Sequence, residues 1–332
     1  MRGLCHHRPQ RSHNRSTKKM TTARVNEILG YYAGENPGVL TNIARILMHG
    51  RLGGTGRVVI LPVDQGNEHG PDRSFSANPA GYDPNYHFQL AVDAGLSAFA
   101  APLGLLRVGA ARFAGQVPLI LKTNGANLLS SNKDQGVYAS VRNALELGCV
   151  GIGFTIYPGS EDQYEMMEEL RDLAEEARAC GLAVVVWSYP RGGDLKKEGE
   201  TALDVTAYAA HLAAELGAHV IKVKPPSGVI YQKDKDTQNA FEGNNWENSS
   251  LSERVAHVVR AAFAGRRIVI FSGGPAKSDF EVLDEIGQIA LGGAFGSIIG
   301  RNSFQRKHND AIEFLNTVMG IYEGAAKAGV AS

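Results

Sequence analysis

The chain has 332 residues, 34 basic and 34 acidic side chains, and 43% apolar residues. That is enough to bury a large core in one domain or two small ones. The balanced charge excludes a general nucleic-acid or membrane-surface binder, and no apolar run approaches the roughly 18–20 residues a membrane helix needs.

The first nineteen residues carry no acid and almost no apolar side chain. Residues 1–21 therefore read as a disordered extension. Residues 22–50 read as an N-terminal helical segment: Val25, Ile28 and Leu29, then Leu40, Ile43, Ile46 and Leu47 recur at spacings of three and four, with a break at Gly34–Gly38. From residue 51 to 328 a rhythm sets in. Apolar strands are predicted near 57–63, 97–102, 117–122, 149–156, 182–188, 219–224, 267–272 and 296–300. Amphipathic helices are predicted between most of them, at Tyr86–Asp93, Val137–Leu147, Gln163–Ala179, Ala202–Leu216, Ser252–Ala264 and Phe280–Leu291. A last one, Asp310–Ala326, closes the ring. Near-continuously apolar strands are those of a buried parallel sheet. Eight β/α units over about 250 residues match a (β/α)8 barrel. An open dinucleotide-binding sheet needs a GxGxxG turn after its first strand, and here Asp64-Gln65-Gly66-Asn67-Glu68-His69-Gly70 follows instead. The polar segment 225–248 exceeds an ordinary loop and is expected to hang over the barrel mouth as a lid or to make a subunit contact.

A barrel assembles its active site at the C-terminal ends of its strands. Asp64, Lys122, Trp187, Tyr189, Lys222, Ser272 and Gly300 stand there, with Arg191, Gly273, Gly274 and Arg301 just beyond. Glycines after strands 7 and 8 let backbone N–H groups approach a phosphate, and Arg301 adds a bidentate charge. Lys222 and Lys224 share one face of strand 6. A lysine in a barrel near phosphate donors suggests an imine, because desolvation and nearby cations leave part of it neutral. Tyr189 fits a proton shuttle and Asp64 a base for a substrate hydroxyl. Metal-dependent aldol chemistry needs several His or carboxylate ligands at strand ends. Only His69 among ten histidines lies just after a strand, so no metal and no cofactor are expected. Cys5, Cys149 and Cys180 show neither metal nor disulfide spacing, which points to a reduced, cytoplasmic protein.

Six motifs carry a resemblance: Leu61-Pro-Val-Asp-Gln-Gly-Asn-Glu-His-Gly70, Thr155-Ile-Tyr-Pro-Gly-Ser160, Val185-Val-Trp-Ser-Tyr-Pro-Arg-Gly-Gly193, Val220-Ile-Lys222, Ser272-Gly-Gly274 and Gly300-Arg-Asn302. With these the chain resembles the archaeal and bacterial class I fructose-1,6-bisphosphate aldolases, the DhnA-like family. The resemblance implies a metal-independent lyase of glycolysis and gluconeogenesis that forms an imine with dihydroxyacetone phosphate. By position the imine lysine falls on Lys222, the catalytic tyrosine on Tyr189 and the catalytic aspartate on Asp64. Trp187 falls on a pocket aromatic, and Gly273, Gly274, Gly300 and Arg301 fall on phosphate donors. Lys122 becomes a second-phosphate or electrostatic residue, and Lys224 the electrostatic neighbour that keeps Lys222 reactive. A homo-oligomer, up to a decameric ring, is implied as well. Archaeal members carry Asp-His-Gly where this chain has Asp64-Gln65-Gly66. Relatives on this scaffold run other imine reactions, including a transaldol synthesis of an amino-dideoxy-heptulosonate and thiolysis of a phosphorylated signal. A metal-free isomerase or a non-catalytic phosphosugar-binding ring are the remaining alternatives.

Overall fold

The computed structural model describes residues 21–130, 134–273 and 278–330. Apart from Thr21, the N-terminal extension lies outside the described residues, as does Gly274. Eight parallel strands close into a barrel: β1 Val58–Pro62, β2 Ala98–Pro102, β3 Leu119–Lys122, β4 Gly151–Ile156, β5 Ala183–Ser188, β6 Val220–Val223, β7 Ile268–Ser272 and β8 Gly296–Ile298. They pair in chain order, and β8 returns to β1. The eight strands fall within the predicted windows, because a strand buried on both faces has no polar side to blur its apolar run.

Period-two alternation divides the core into two bodies. Ile60, Ala100, Ile120, Val185, Val220 and Ile270 point into the barrel, while Val59, Phe99, Leu121, Val186 and Phe271 face the surrounding helices. The inner cluster continues below into Val25 and Ile28 of helix Ala23–Gly30 and Ile43, Ile46 and Leu47 of helix Pro37–Met48. The N-terminal helices therefore plug the foot of the barrel. Each fully buried aliphatic side chain contributes about 1.5–3 kcal/mol, which offsets the cost of two ammonium groups higher up.

The foot is pinned under the lysine strand. Tyr32 donates its hydroxyl hydrogen to the carbonyl of His219 at 2.6 Å and accepts from the Ile268 amide at 3.0 Å. His219 Nδ1 accepts from the Val184 amide at 2.8 Å, and its Nε2 lies 3.2 Å from Glu35. These contacts tie β5, β6 and β7 together three residues below Lys222.

Two expectations are corrected. The helix predicted over Val137–Leu147 spans Val141–Glu146, opened by a capping box between Ser140 and Asn143. Val137 instead pairs with Asn124 in a short antiparallel ladder. Of the two roles expected for segment 225–248, the lid is overturned, because the segment is not draped over the mouth. Ser227 donates to the Thr201 carbonyl at 2.7 Å, and the amides of Tyr231 and Gln232 donate to Asp204 at 3.0 and 2.9 Å. Phe241 and Trp246 pack on His257. Among the described residues only Pro225 of this segment lines the central cavity, so the insertion buttresses the barrel side.

Candidate active site

A cavity of about 570 Å³ opens at the C-terminal ends of the strands. Asp64, Trp187, Tyr189, Arg191, Lys222, Ser272, Gly273, Gly300 and Arg301 all line it. Strand register explains the centre: Trp187 on β5 sits beside Lys222 on β6, and Lys122 on β3 beside Gly153 on β4. All three side chains point inward, one layer above the aliphatic filling.

Lys222 is 5% exposed. Its ammonium stands 5.4 Å from the Trp187 ring centroid and 5.3 Å from that of Tyr189. Burial lowers its pKa from 10.5 to about 8; Asp64 and Glu68 oppose the shift, while Lys122 and Arg301 assist it. Lys122 does not line the cavity. It is 1% exposed, lies 5.7 Å from the Trp187 ring centroid, and donates to both the carbonyl and side-chain oxygen of Asn124. Asn124 is itself held by the backbone of Thr155, in both directions at 2.8 Å. Lys122 is thus a fixed buried charge. Lys224 differs from its expected part, because its ammonium is paired with Glu200 at 2.7 Å. A neutralised cation does little to its neighbour, and the cations acting on Lys222 are Lys122 and Arg301.

Burial, then Glu68 and Asp64, push the Tyr189 phenol well above 10, and the Ser272 hydroxyl hydrogen-bonds to it. The phenol therefore keeps its proton at neutral pH. Glu68 is a site residue the sequence reading passed over. Burial and the Asp64 carboxylate raise it to about 7. It lies on the one-turn helix Gln65–His69 directly after Asp64, four residues on and so on the same face. His69 lines the cavity from that turn, with burial and Arg301 lowering its pKa. Gln65 Oε1 and Trp187 Nε1 are buried without a partner among the described residues, which leaves polar contacts for a polyhydroxylated ligand.

Two glycines are required by close approach. A Cβ on Gly300 would lie 3.0 Å from the Pro62 carbonyl oxygen and 2.7 Å from Gln65 Nε2, and one on Gly153 would lie 2.5 Å from the Trp187 ring. Gly153→Ala is accordingly expected to displace the indole that spaces Lys122 from Lys222. The cost is about 1–3 kcal/mol of stability, read as a lower denaturation midpoint with a changed near-ultraviolet tryptophan spectrum.

An amine that is partly neutral at physiological pH can condense with a ketone, and a protonated phenol beside it can move a proton at the adjacent carbon. That chemistry at the mouth of a (β/α)8 barrel defines an imine-forming carbon–carbon lyase. The DeoC/LacD family aldolases match over residues 58–306. A Chlamydia muridarum protein named "Probable fructose-bisphosphate aldolase class 1" is 36% identical over 300 residues, covering 86% of this chain and 85% of that one. The Thermoproteus tenax "Fructose-bisphosphate aldolase class 1" is 37% identical over 274 residues, covering 82% and 92%. A solved archaeal fructose-1,6-bisphosphate aldolase, with its catalytic lysine covalently bound to the carbinolamine intermediate, superposes with a TM-score of 0.69 at 33% identity, covering 85% of this chain and 98% of its own. The chain belongs to the DeoC/LacD family aldolases and, among them, to the archaeal and bacterial class I fructose-bisphosphate aldolases. Among the described residues no helix is long and apolar enough to cross a membrane.

Proposed function

We propose that this class I aldolase reversibly cleaves fructose 1,6-bisphosphate into dihydroxyacetone phosphate and glyceraldehyde 3-phosphate through an imine on Lys222. The observation that carries this reading is the buried Lys222 amine between two aromatic rings, in a cavity that also holds a protonated phenol and an arginine. Lys222 attacks C2 of the open-chain ketose, and the carbinolamine loses water. Asp64 takes the C4 hydroxyl proton as the C3–C4 bond breaks and the aldehyde leaves. Tyr189 then protonates C3 of the enamine, and water returns to release dihydroxyacetone phosphate. Gly273, Gly300 and Arg301 hold the phosphate next to C1, Trp187 packs on the substrate carbons, and Lys122 acts only through its field. We place the enzyme in the cytoplasm, as a homo-oligomer whose contacts cover exposed apolar side chains such as Leu129, Phe280 and Leu291. Borohydride trapping with dihydroxyacetone phosphate, followed by peptide mapping, tests the reading. Modification at Lys222 supports it; modification at Lys224, or none, overturns it.

The lowered pKa sets a pH dependence. At pH 7 about a tenth of Lys222 is neutral, against about one in a few thousand for a free lysine. Activity is expected to rise with pH through a limb near 8. Lys122→Met removes a cation that favours the neutral amine, so the limb moves to higher pH. A profile of kcat/KM against pH for both proteins checks the direction.

A further inference from the structure

Fructose 1,6-bisphosphate and its two cleavage products hold the same atoms, so the reaction consumes no proton overall. Each turnover nevertheless leaves two groups in the wrong state: Asp64 holds the C4 hydroxyl proton, and Tyr189 has given its own proton to C3. Before the next turnover a proton must pass from the carboxyl to the phenol. Glu68 lines the same cavity. Its amide donates to the Asp64 carbonyl at 3.2 Å and closes the turn that sets both carboxyls on one face of helix Gln65–His69. The Glu68 side chain is 21% exposed, and its one ionic contact among the described residues is His69 Nε2 at 3.9 Å. Burial and Arg301 keep that imidazole neutral, so no cation anchors the carboxylate. Asp64 is the charge that acts most strongly on Glu68, and Glu68 acts on the Tyr189 phenol more strongly than Asp64 does. Influence falls with distance, so the Glu68 carboxyl stands between the group that gains a proton and the group that loses one. Its proton affinity, near 7, suits a carboxyl that must accept and donate at neutral pH.

We infer that Glu68 is the relay that resets the site, carrying the proton from Asp64 to Tyr189 between turnovers. The inference rests on the ketose-bisphosphate reading above. The step balances: the Asp64 carboxyl gives its proton to the Glu68 carboxylate, and the Glu68 carboxyl gives one to the Tyr189 phenoxide. Asp64 is left ionised, Tyr189 protonated and Glu68 as it began. The side chain turns between the two partners, which its lack of a fixed cation permits. In the synthetic direction the same path runs backwards, from the phenol that has taken the C3 proton to the aspartate that must protonate the C4 oxygen. Glu68 breaks and makes no bond of the sugar, so its loss slows repetition of the reaction rather than its first passage.

The test is rapid-quench kinetics on Glu68→Gln in the full chain. Glutamine has the size of a protonated glutamate and cannot pass a proton on. Steady-state kcat is expected to fall about a hundredfold, the lower end of the range for a positioned acid or base. Dihydroxyacetone phosphate is expected to appear first in a burst of about one equivalent per active site, because the first turnover uses the proton already on Tyr189. A residue that merely shapes the cavity would slow the first turnover as much as the later ones and give no burst. Formate, a carboxylate small enough to enter the vacated space, is expected to restore turnover in Glu68→Ala. A wild-type kcat in Glu68→Gln, a loss of rate without a burst, or a Glu68→Ala enzyme that formate does not rescue overturns the inference. Borohydride trapping with dihydroxyacetone phosphate separates the two levels. Failure to trap in the wild-type enzyme sinks the imine reading itself, whereas trapping retained in wild type and variants shows an intact site and leaves the burst and the rescue to decide on the relay.

Discussion

Lys222→Met is expected to abolish cleavage, with a loss on the order of 10⁴–10⁶-fold, as when a covalent nucleophile is removed from a working site. The variant is also expected to be at least as stable as the wild type. Methionine matches the lysine stem in length and places no charge in the cavity. The sign follows from the pKa. Burial brings Lys222 from 10.5 to about 8, so protonating it is harder in the folded chain than in the unfolded one. The lysine therefore costs stability at neutral pH, and the cost fades as pH rises through the window between about 8 and 10.5. Asp64 and Glu68 lose a counter-charge in the variant, which trims the gain, but Lys122 remains to face them. Urea denaturation of both proteins at pH 7 and pH 10 reads this directly. A lower midpoint for the variant at pH 7 would mean that the lysine holds the barrel together rather than being tolerated by it. Loss of activity alone could then no longer be assigned to a missing nucleophile.

The barrel was legible because its strands are buried on both faces and its helices are not, so two periods alternate along the chain. The centre of the site was legible through strand parity: Trp187 and Tyr189 two apart, and Lys222 at the end of a short apolar run. Parity could not separate Lys222 from Lys224. What separates them is Glu200, which reaches Lys224 from a different stretch of chain, and no local pattern encodes that pairing. Glu68 was missed for another reason. The stretch after Asp64 holds Gly66 and Gly70 and no apolar side chain, yet it winds one helical turn that returns Glu68 to the face of Asp64. A carboxylate four residues after a catalytic one was the available clue. At Val137 the error ran the other way. Val137, Val141, Ala144 and Leu145 keep helical spacing, so periodicity carried the helix one turn too far. The Ser140 and Asn143 pair marks the true start. The helical character of residues 22–50 was clear, but their place under the barrel depends on Tyr32 and Glu35 meeting His219, nearly two hundred residues away.

Tyr189→Phe is expected to divide the reaction into a surviving half and a lost half. Imine formation needs the amine and the ketone, and phenylalanine keeps the aromatic face 5.3 Å from the Lys222 ammonium. Borohydride should therefore still trap dihydroxyacetone phosphate on Lys222. Proton transfer at C3 needs the phenol oxygen. Its removal is expected to cost about 10²–10⁴-fold in cleavage, the range for a positioned acid or base. The high proton affinity of Tyr189 says which way it works first: held protonated by burial and by Glu68 and Asp64, it is ready to donate to the enamine once the aldehyde has left. Exchange of the C3 proton of dihydroxyacetone phosphate with deuterated solvent isolates that step from bond cleavage, because no aldehyde takes part. Trapping retained with exchange lost places the proton on Tyr189. Exchange at the wild-type rate would move the role to another group in the cavity, and Glu68, raised to about 7 beside Asp64, is the one whose proton affinity suits it. Loss of trapping together with exchange would instead give the Tyr189 hydroxyl a part in closing the imine. Ser272, which hydrogen-bonds that hydroxyl, would then be the residue through which the phosphate-side loop of β7 acts on the proton donor.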